Sequence, residues 1–159
     1  MPDRSPPRDS RGERQTLLAC LDYLRESVAL KAEGLSDEQV RREMVPSGIS
    51  LLGLVKHLTR VEFAWFSFSF AGLNVHLPED ALDEGDDADT VLRAYRGAVA
   101  TSNDIVGPCD DLDRTCASTY LDRDKLSLRW VLVHMIEETA RHAGHADILR
   151  EQLDGSTGR

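Results

Sequence analysis

Apolar residues recur every three or four positions in four long stretches of the chain, which is the spacing of one buried face of an α-helix. Glycine follows three of these stretches, at Gly34, Gly107 and Gly155, and marks helix ends. No stretch alternates apolar and polar residues as a half-buried strand would. The pattern predicts an all-α fold with four long helices, arranged as a four-helix bundle. The predicted helices are residues 13–32, 51–70, 88–106 and 128–154.

Local capping signals refine this prediction and add a short extra helix. Ser36 and Gln39 have the spacing of a capping box, which predicts a short helix from there to about Glu43. Ser50 and Ser127 stand immediately before the second and fourth long helices, where serine is a favoured N-cap. These serines fix the start of each of the two helices that carry the candidate functional residues.

The C-terminal half of the second long helix is apolar nearly all round. Residues 63–70 contain four phenylalanines and one tryptophan. A helix of this kind is either buried on several sides or presents an apolar patch used for association. The sequence leaves both interpretations open.

The connection after this helix, residues 71–90, is strongly acidic. Seven acids lie between Glu79 and Asp89. The alternating ligand pattern of a calcium loop is absent, so a solvated acidic connecting loop is the preferred interpretation. Outside the helices, we expect a disordered N-terminal arm over residues 1–12, one domain over residues 13–155 and a disordered tail over residues 156–159.

Composition narrows the function classes. The 159 residues fit one domain, and the formal net charge of −9 disfavours nucleic acid and anionic membrane surfaces as partners. No apolar run approaches the roughly 18 residues of a membrane span, and the N-terminal residues lack the apolar region of a secretory signal. Three cysteines without CxxC spacing favour reduced thiols over disulfides or a zinc ribbon. We therefore expect a cytoplasmic protein without a membrane segment.

The last helix carries a cluster of candidate metal ligands. Glu138 and His142 lie four residues apart in its apolar stripe, a spacing that lets two side chains converge on one ion. His134 and His145 fall within the same arc of the helix. Two ligand pairs remain plausible from spacing, Glu138 with His142 and His142 with His145. The HExxH string of zinc proteases is absent, which argues against a metalloprotease.

A third ligand must come from another helix, since catalytic zinc sites usually have three protein ligands and one open position. His57 is the candidate because it lies on the apolar face of the second long helix, whereas His76 lies in the acidic connection. A carboxylate in an apolar stripe needs a cation, a donor or a proton. Glu138 could therefore pair with Arg60 or Arg129 instead of a metal.

Three features of the chain together resemble the DinB/YfiT-like superfamily. They are the helical plan, the His57-Leu58 pair and the string HMIEETARHAGHADILRE, which begins at His134. More narrowly, they resemble an actinobacterial branch of uncharacterised members. The resemblance covers nearly all of residues 13–155. It implies a DinB-like four-helix bundle, often a homodimer, that holds a divalent metal, zinc or nickel. One ligand comes from the second helix and two come from the last.

Carried over to this chain, the resemblance implies His57, Glu138 and His142 as metal ligands. Glutamate at the first position of the last-helix pair is also the arrangement of the mycothiol-dependent maleylpyruvate isomerase. His145 takes the place of a polar residue that lines the pocket. Arg129 and Arg150 are candidate partners for substrate carboxylates.

Related members, including that isomerase and the bacillithiol S-transferases, bring a low-molecular-weight thiol to the metal. The resemblance therefore implies a thiol-dependent S-transferase or isomerase that joins a thiol such as mycothiol to a small electrophile. Hydrolysis by an activated water is a weaker possibility. The alternative is a non-catalytic, stress-associated metal-binding protein or dimeric scaffold.

Overall fold

The computed structural model describes residues 5, 6, 8, 11–118 and 126–158. Its helices are α1 (Glu13–Ala32), α2 (Asp37–Arg41), α3 (Leu51–Glu62), α4 (Ala88–Val106) and α5 (Leu128–Asp154). A π-helical segment, Phe63–Phe70, continues α3. Within the described ranges there is no strand, and one isolated antiparallel bridge joins Thr115 to Ser127. The fold is all-α, as predicted, while most of the predicted N-terminal arm and Arg159 of the predicted tail lie outside the described residues.

The predicted caps form in the structure. The Ser36 hydroxyl accepts a hydrogen bond from the Gln39 amide, and the Gln39 side chain accepts one from the Ser36 amide. Ser50 caps α3 and Ser127 caps α5, each by accepting an amide hydrogen bond from the first turn. Gly155 ends α5 in the left-handed conformation that a glycine adopts without strain. The short helix α2 ends at Arg41, two residues earlier than predicted, because the backbone becomes extended at Arg42.

The second long helix departs from the prediction in its C-terminal half. After Glu62 the backbone widens from α to π geometry, with an Ala71 amide that donates to the Phe66 carbonyl five residues earlier. A π turn holds more residues than an α turn, so the side chains of this segment are spaced differently around the helix axis from those of α3. Trp65, Phe66 and Phe70 are buried. The structure therefore favours burial over an exposed association patch for this segment.

The long helices pack as a bundle in which α1 lies mainly against α5 and α3 mainly against α4. One apolar cluster joins the first half of α3 to α4 and the end of α5, and a second surrounds the π segment and the start of α5. A buried ion pair adds a polar link between α1 and α3. Arg25 donates to both carboxylate oxygens of Glu62, at 2.8 and 2.7 Å.

The acidic loop, residues 79–87, is fastened to the bundle rather than simply solvated. The Lys56 ammonium lies 3.1 Å from Asp83 and 2.6 Å from Asp86. The Arg41 guanidinium donates to backbone carbonyls of the loop, including that of Asp83 at 2.5 Å. Most residues of the loop are exposed, as predicted for a solvated loop, but cations of α2 and α3 fix its path, which the sequence did not predict. Leu82 also packs against the apolar cluster.

None of the helices in the described parts of the chain is both long enough and apolar enough to cross a bilayer. Cys20, Cys109 and Cys116 are all free thiols, in agreement with the prediction from their spacing.

Candidate metal centre

Three side chains from two helices meet at one point on the seam between α3 and α5. Oε1 of Glu138 lies 3.1 Å from Nε2 of His142 and 3.3 Å from Nε2 of His57. One potential ligand atom from each residue lies within 4.8 Å of the other two. Ligands at 2.0–2.2 Å from one zinc ion are at most roughly 4 Å apart, so only a small adjustment separates this arrangement from a coordination shell.

The local structure explains why these side chains converge. Glu138 and His142 are one turn apart on α5, and the packing of α3 against α5 brings His57 to the same level. The side chains keep some contact with solvent: 33% of His57, 20% of Glu138 and 16% of His142 remain exposed. Solvent can therefore reach the cluster.

The electrostatics of the cluster favour the protonation states that bind metal. Burial alone would raise the pKa of Glu138, but His57 and His142 outweigh it, and that pKa lies below its ordinary value. Burial lowers the pKa of His142, against the opposing attraction of Glu138. Near neutral pH the cluster thus offers an ionised carboxylate and a neutral His142 imidazole, the forms that coordinate a metal.

The donor set suits a divalent transition metal. Two imidazole nitrogens and one carboxylate oxygen are ligands that zinc and nickel accept, whereas magnesium and calcium prefer oxygen donors. Nε2 of His142 faces Glu138 and is the ring nitrogen placed towards the cluster, whereas its buried Nδ1 has no hydrogen-bond partner among the described residues. The residues present therefore fit a metal of this class.

Two further polar residues surround His57. Its Nδ1 atom, on the opposite side of the ring from Glu138, lies 3.2 Å from Oδ1 of Asp80 in the acidic loop. The second oxygen of Asp80 lies 3.7 Å from Nε of Arg60, and Arg60 also donates to the Pro78 carbonyl at 2.6 Å. Asp80 was not foreseen from the sequence, where it is one of seven acids in a loop.

The other two histidines of α5 lie outside the three-residue cluster. His134 stacks on Trp130, with ring centroids 5.0 Å apart, and meets Trp65 edge-on at 4.6 Å. His145 is exposed, and its ring centroid lies 5.5 Å from that of His142. Among the described residues, only His57, Glu138 and His142 form a group with metal-binding separations. Neither His134 nor His145 fills a fourth position there.

The candidate arginines are engaged elsewhere. Arg129 forms ion pairs with Glu13 and Asp113, and Arg150 donates to the carbonyls of Lys31 and Glu33. Each lies about 12–14 Å along α5 from the nearer ligand on that helix, at 1.5 Å per residue. Both arginines therefore tie α5 to neighbouring segments, and their role as partners for substrate carboxylates stays a prediction. Pairing of Glu138 with Arg60 or Arg129 is wrong, because its partners are the two histidines.

Comparison with known proteins agrees with this architecture. The sequence model of the mycothiol S-transferase family matches residues 16–155, and the chain belongs to that family. Among solved structures, a DinB-like protein from Bacillus cereus superposes with a TM-score of 0.67 at 19% identity, covering 87% of this chain and 91% of that one. A conserved protein from Enterococcus faecalis superposes with a TM-score of 0.66 at 14% identity, and the match covers 92% of this chain and 100% of that one. These two likenesses establish a DinB-like fold. No curated protein matches the chain significantly.

Proposed function

We propose that this protein is a metal-dependent thiol S-transferase, which joins a low-molecular-weight thiol to a small electrophile. The single observation that carries the proposal is the convergence of one ligand atom each from His57, Glu138 and His142. Membership of the mycothiol S-transferase family makes mycothiol the first thiol to consider. Zinc or nickel is the metal that the two imidazoles and the carboxylate favour.

Each ligand has a definable task. His57 and His142 contribute neutral nitrogens from two helices, while Glu138 contributes the one negative charge of the ligand set. With a divalent cation, that set leaves a net charge of about +1 at the site, which favours an anionic thiolate over a neutral thiol. A bound metal with an open position would lower the pKa of a coordinated thiol and supply the nucleophilic thiolate at neutral pH.

Neighbouring residues shape the approach to this point. The rings of Trp65, Trp130 and His134 form a cluster whose His134 lies one turn of α5 before Glu138. This cluster would exclude water from one side of the site and offer an apolar surface to an electrophile. On the other side, the exposed His145 lies beside His142 and borders the solvent-facing approach.

The non-catalytic scaffold has less support than the enzyme. Its sequence argument was an exposed Phe-rich patch, but Trp65, Phe66 and Phe70 are buried within the bundle. A coordination shell closed by a fourth protein ligand would favour a scaffold, but neither His134 nor His145 belongs to the group with metal-binding separations. An S-transferase needs an open position, which three protein ligands leave.

The test of the proposed function is a conjugation assay with zinc- or nickel-loaded protein, mycothiol and a fluorogenic alkylating agent. We expect metal-dependent formation of the thioether, lost in His142→Ala and retained in the exposed-surface variant Arg42→Ala. Bacillithiol and glutathione serve as alternative thiols in parallel reactions. No acceleration with any thiol, by a protein that holds a full equivalent of metal, would contradict an S-transferase.

A further inference from the structure

The carboxylate of Asp80 occupies the position of an outer partner for the His57 imidazole. A histidine that binds metal through one ring nitrogen commonly donates the other N–H to a carboxylate, which fixes its tautomer and ring orientation. Here Nε2 of His57 faces Glu138, and Nδ1 faces Asp80 at 3.2 Å. Asp80 thus contacts the ring nitrogen that does not face Glu138, and it does not belong to the group with metal-binding separations.

The acidic loop is held so that Asp80 remains in this position. On α3, Lys56 precedes His57 and contacts Asp83 and Asp86, while Arg60 lies one turn further on. Arg60 donates to the Pro78 carbonyl and approaches the second oxygen of Asp80. Arg60 thus holds the loop before Asp80, and Lys56 holds it after Asp80. This double anchoring distinguishes the contact between Asp80 and His57 from an isolated surface pair.

We infer that Asp80 is a positioning residue, which holds His57 as the Nδ1–H tautomer with its Nε2 lone pair directed at the metal. The inference rests on the proposed function, since it assigns a role in the same metal centre. Asp80 is half exposed, so solvent weakens its hold on His57. We therefore expect its loss to lower metal affinity by about 10-fold, the lower end of the usual 10–100-fold range.

The affinity test compares zinc binding by the wild-type protein, Asp80→Asn and Asp80→Ala in competition with a chromophoric chelator. The asparagine keeps an acceptor without charge, so the expected order of affinity is wild type, then Asp80→Asn, then Asp80→Ala. Glu79→Gln and Glu79→Ala are matched controls, because Glu79 is the neighbouring exposed acid. Both should bind zinc within about twofold of the wild type, since the charge of an exposed loop acid is screened by solvent and salt.

A second readout separates orientation of the ring from a general structural effect. In zinc-loaded protein, nitrogen-15 NMR of His57 should show a protonated Nδ1 and a metal-bound Nε2, and the Nδ1–H resonance should broaden or disappear in Asp80→Ala. The metal-free variants should unfold at the same temperature as the wild type, since Asp80 lies on the surface.

Two results would overturn this inference and leave the proposed function standing. One is zinc affinity in Asp80→Ala equal to that of a wild type that binds zinc. The other is an equal loss in the Glu79 variants, which would show that general loop charge attracts the metal. A wild-type protein that binds neither zinc nor nickel would overturn this inference together with the proposed function.

Discussion

Nε2 of His57 on α3 lies 3.3 Å from Oε1 of Glu138 on α5, so the candidate metal centre bridges two helices distant in sequence. A metal bound there stabilises the folded chain, because the unfolded chain does not hold these ligands together. At free zinc 100 times the dissociation constant, the gain is about 2.7 kcal/mol, or about 5–11 °C in Tm for a domain of this size.

Differential scanning calorimetry of the metal-free protein with and without zinc measures this shift. The His142→Ala variant is the control and should show little change. An equal rise in Tm for the wild type and His142→Ala would show that the stabilising zinc binds at another site.

The histidines outside the cluster give a second prediction. His134→Ala should keep wild-type zinc affinity while losing stability, because the ring contacts with Trp65 and Trp130 disappear. Aromatic pairs contribute about 0.5–1.5 kcal/mol each, so loss of the two pairs should cost about 1–3 kcal/mol in denaturant unfolding.

His145→Ala should also retain zinc, because its ring lies outside the group with metal-binding separations. Loss of zinc in His145→Ala, with stoichiometric zinc retained in Glu138→Ala, would replace the assignment by an all-histidine site of His57, His142 and His145.

The buried ion pair of Arg25 and Glu62 gives a stability prediction separate from the metal. Burial alone would lower the pKa of Arg25, but the carboxylate of Glu62 outweighs it and keeps that pKa above its ordinary value. Removing Glu62 leaves the buried Arg25 guanidinium with Asp22 as its remaining charged partner, at 2.8 Å, so Glu62→Ala should cost about 3 kcal/mol, the lower end of the range for a broken buried pair. Urea unfolding measures the change.

The exposed pair of Arg42 and Glu38 is the control, and Glu38→Ala should cost less than about 1 kcal/mol. If Glu62→Ala cost no more than this control, the ion pair would not be a major stabilising link between α1 and α3.

The fastening of the acidic loop gives a pH prediction. Burial would raise the pKa of Asp86, but hydrogen bonds from Lys56 and the Asp83 amide hold it below 3.8. The pKa of Lys56 lies above 10.5, since its hydrogen bonds to Asp86 and Asp83 outweigh burial. A carboxylate with a depressed pKa stabilises the fold above about pH 4 and loses that contribution as pH falls further.

We expect Asp86→Asn to be about 1 kcal/mol less stable than the wild type at pH 7, the scale of a charge-assisted hydrogen bond weakened by solvent. The difference should shrink as the pH falls below about 4, because the Asp86 carboxylate of the wild type becomes protonated and is then neutral, as the asparagine is. Glu84→Gln, in the exposed part of the same loop, should show little difference at either pH. A constant difference for Asp86→Asn at pH 7 and pH 2 would exclude the ion pair as its cause.

Much of the fold was predictable because the relevant signals are local. Ser50 and Ser127 cap α3 and α5 within one turn, so their helix starts follow from neighbouring residues. The π geometry of Phe63–Phe70 was not predictable, since an apolar periodicity cannot separate α from π turns when nearly every residue is apolar.

The same distinction holds for the candidate site. Glu138 and His142 were predictable because their four-residue spacing lies within one helix. Asp80 reaches His57 from a loop 23 residues further along the chain, and only the tertiary contacts of that loop bring it there. The ion pair of Glu62 with Arg25 likewise joins two helices, and spacing within one helix does not predict it.

Metal content of the purified protein tests the central claim most directly. After loading with zinc or nickel and removal of free ions, elemental analysis should give one equivalent per wild-type chain. His57→Ala and His142→Ala should retain almost none, Glu138→Ala should retain a weakly held fraction, and His134→Ala should retain the full equivalent. A wild-type chain with well under one equivalent, or full metal retention in His142→Ala, would contradict a metal centre built from His57, Glu138 and His142.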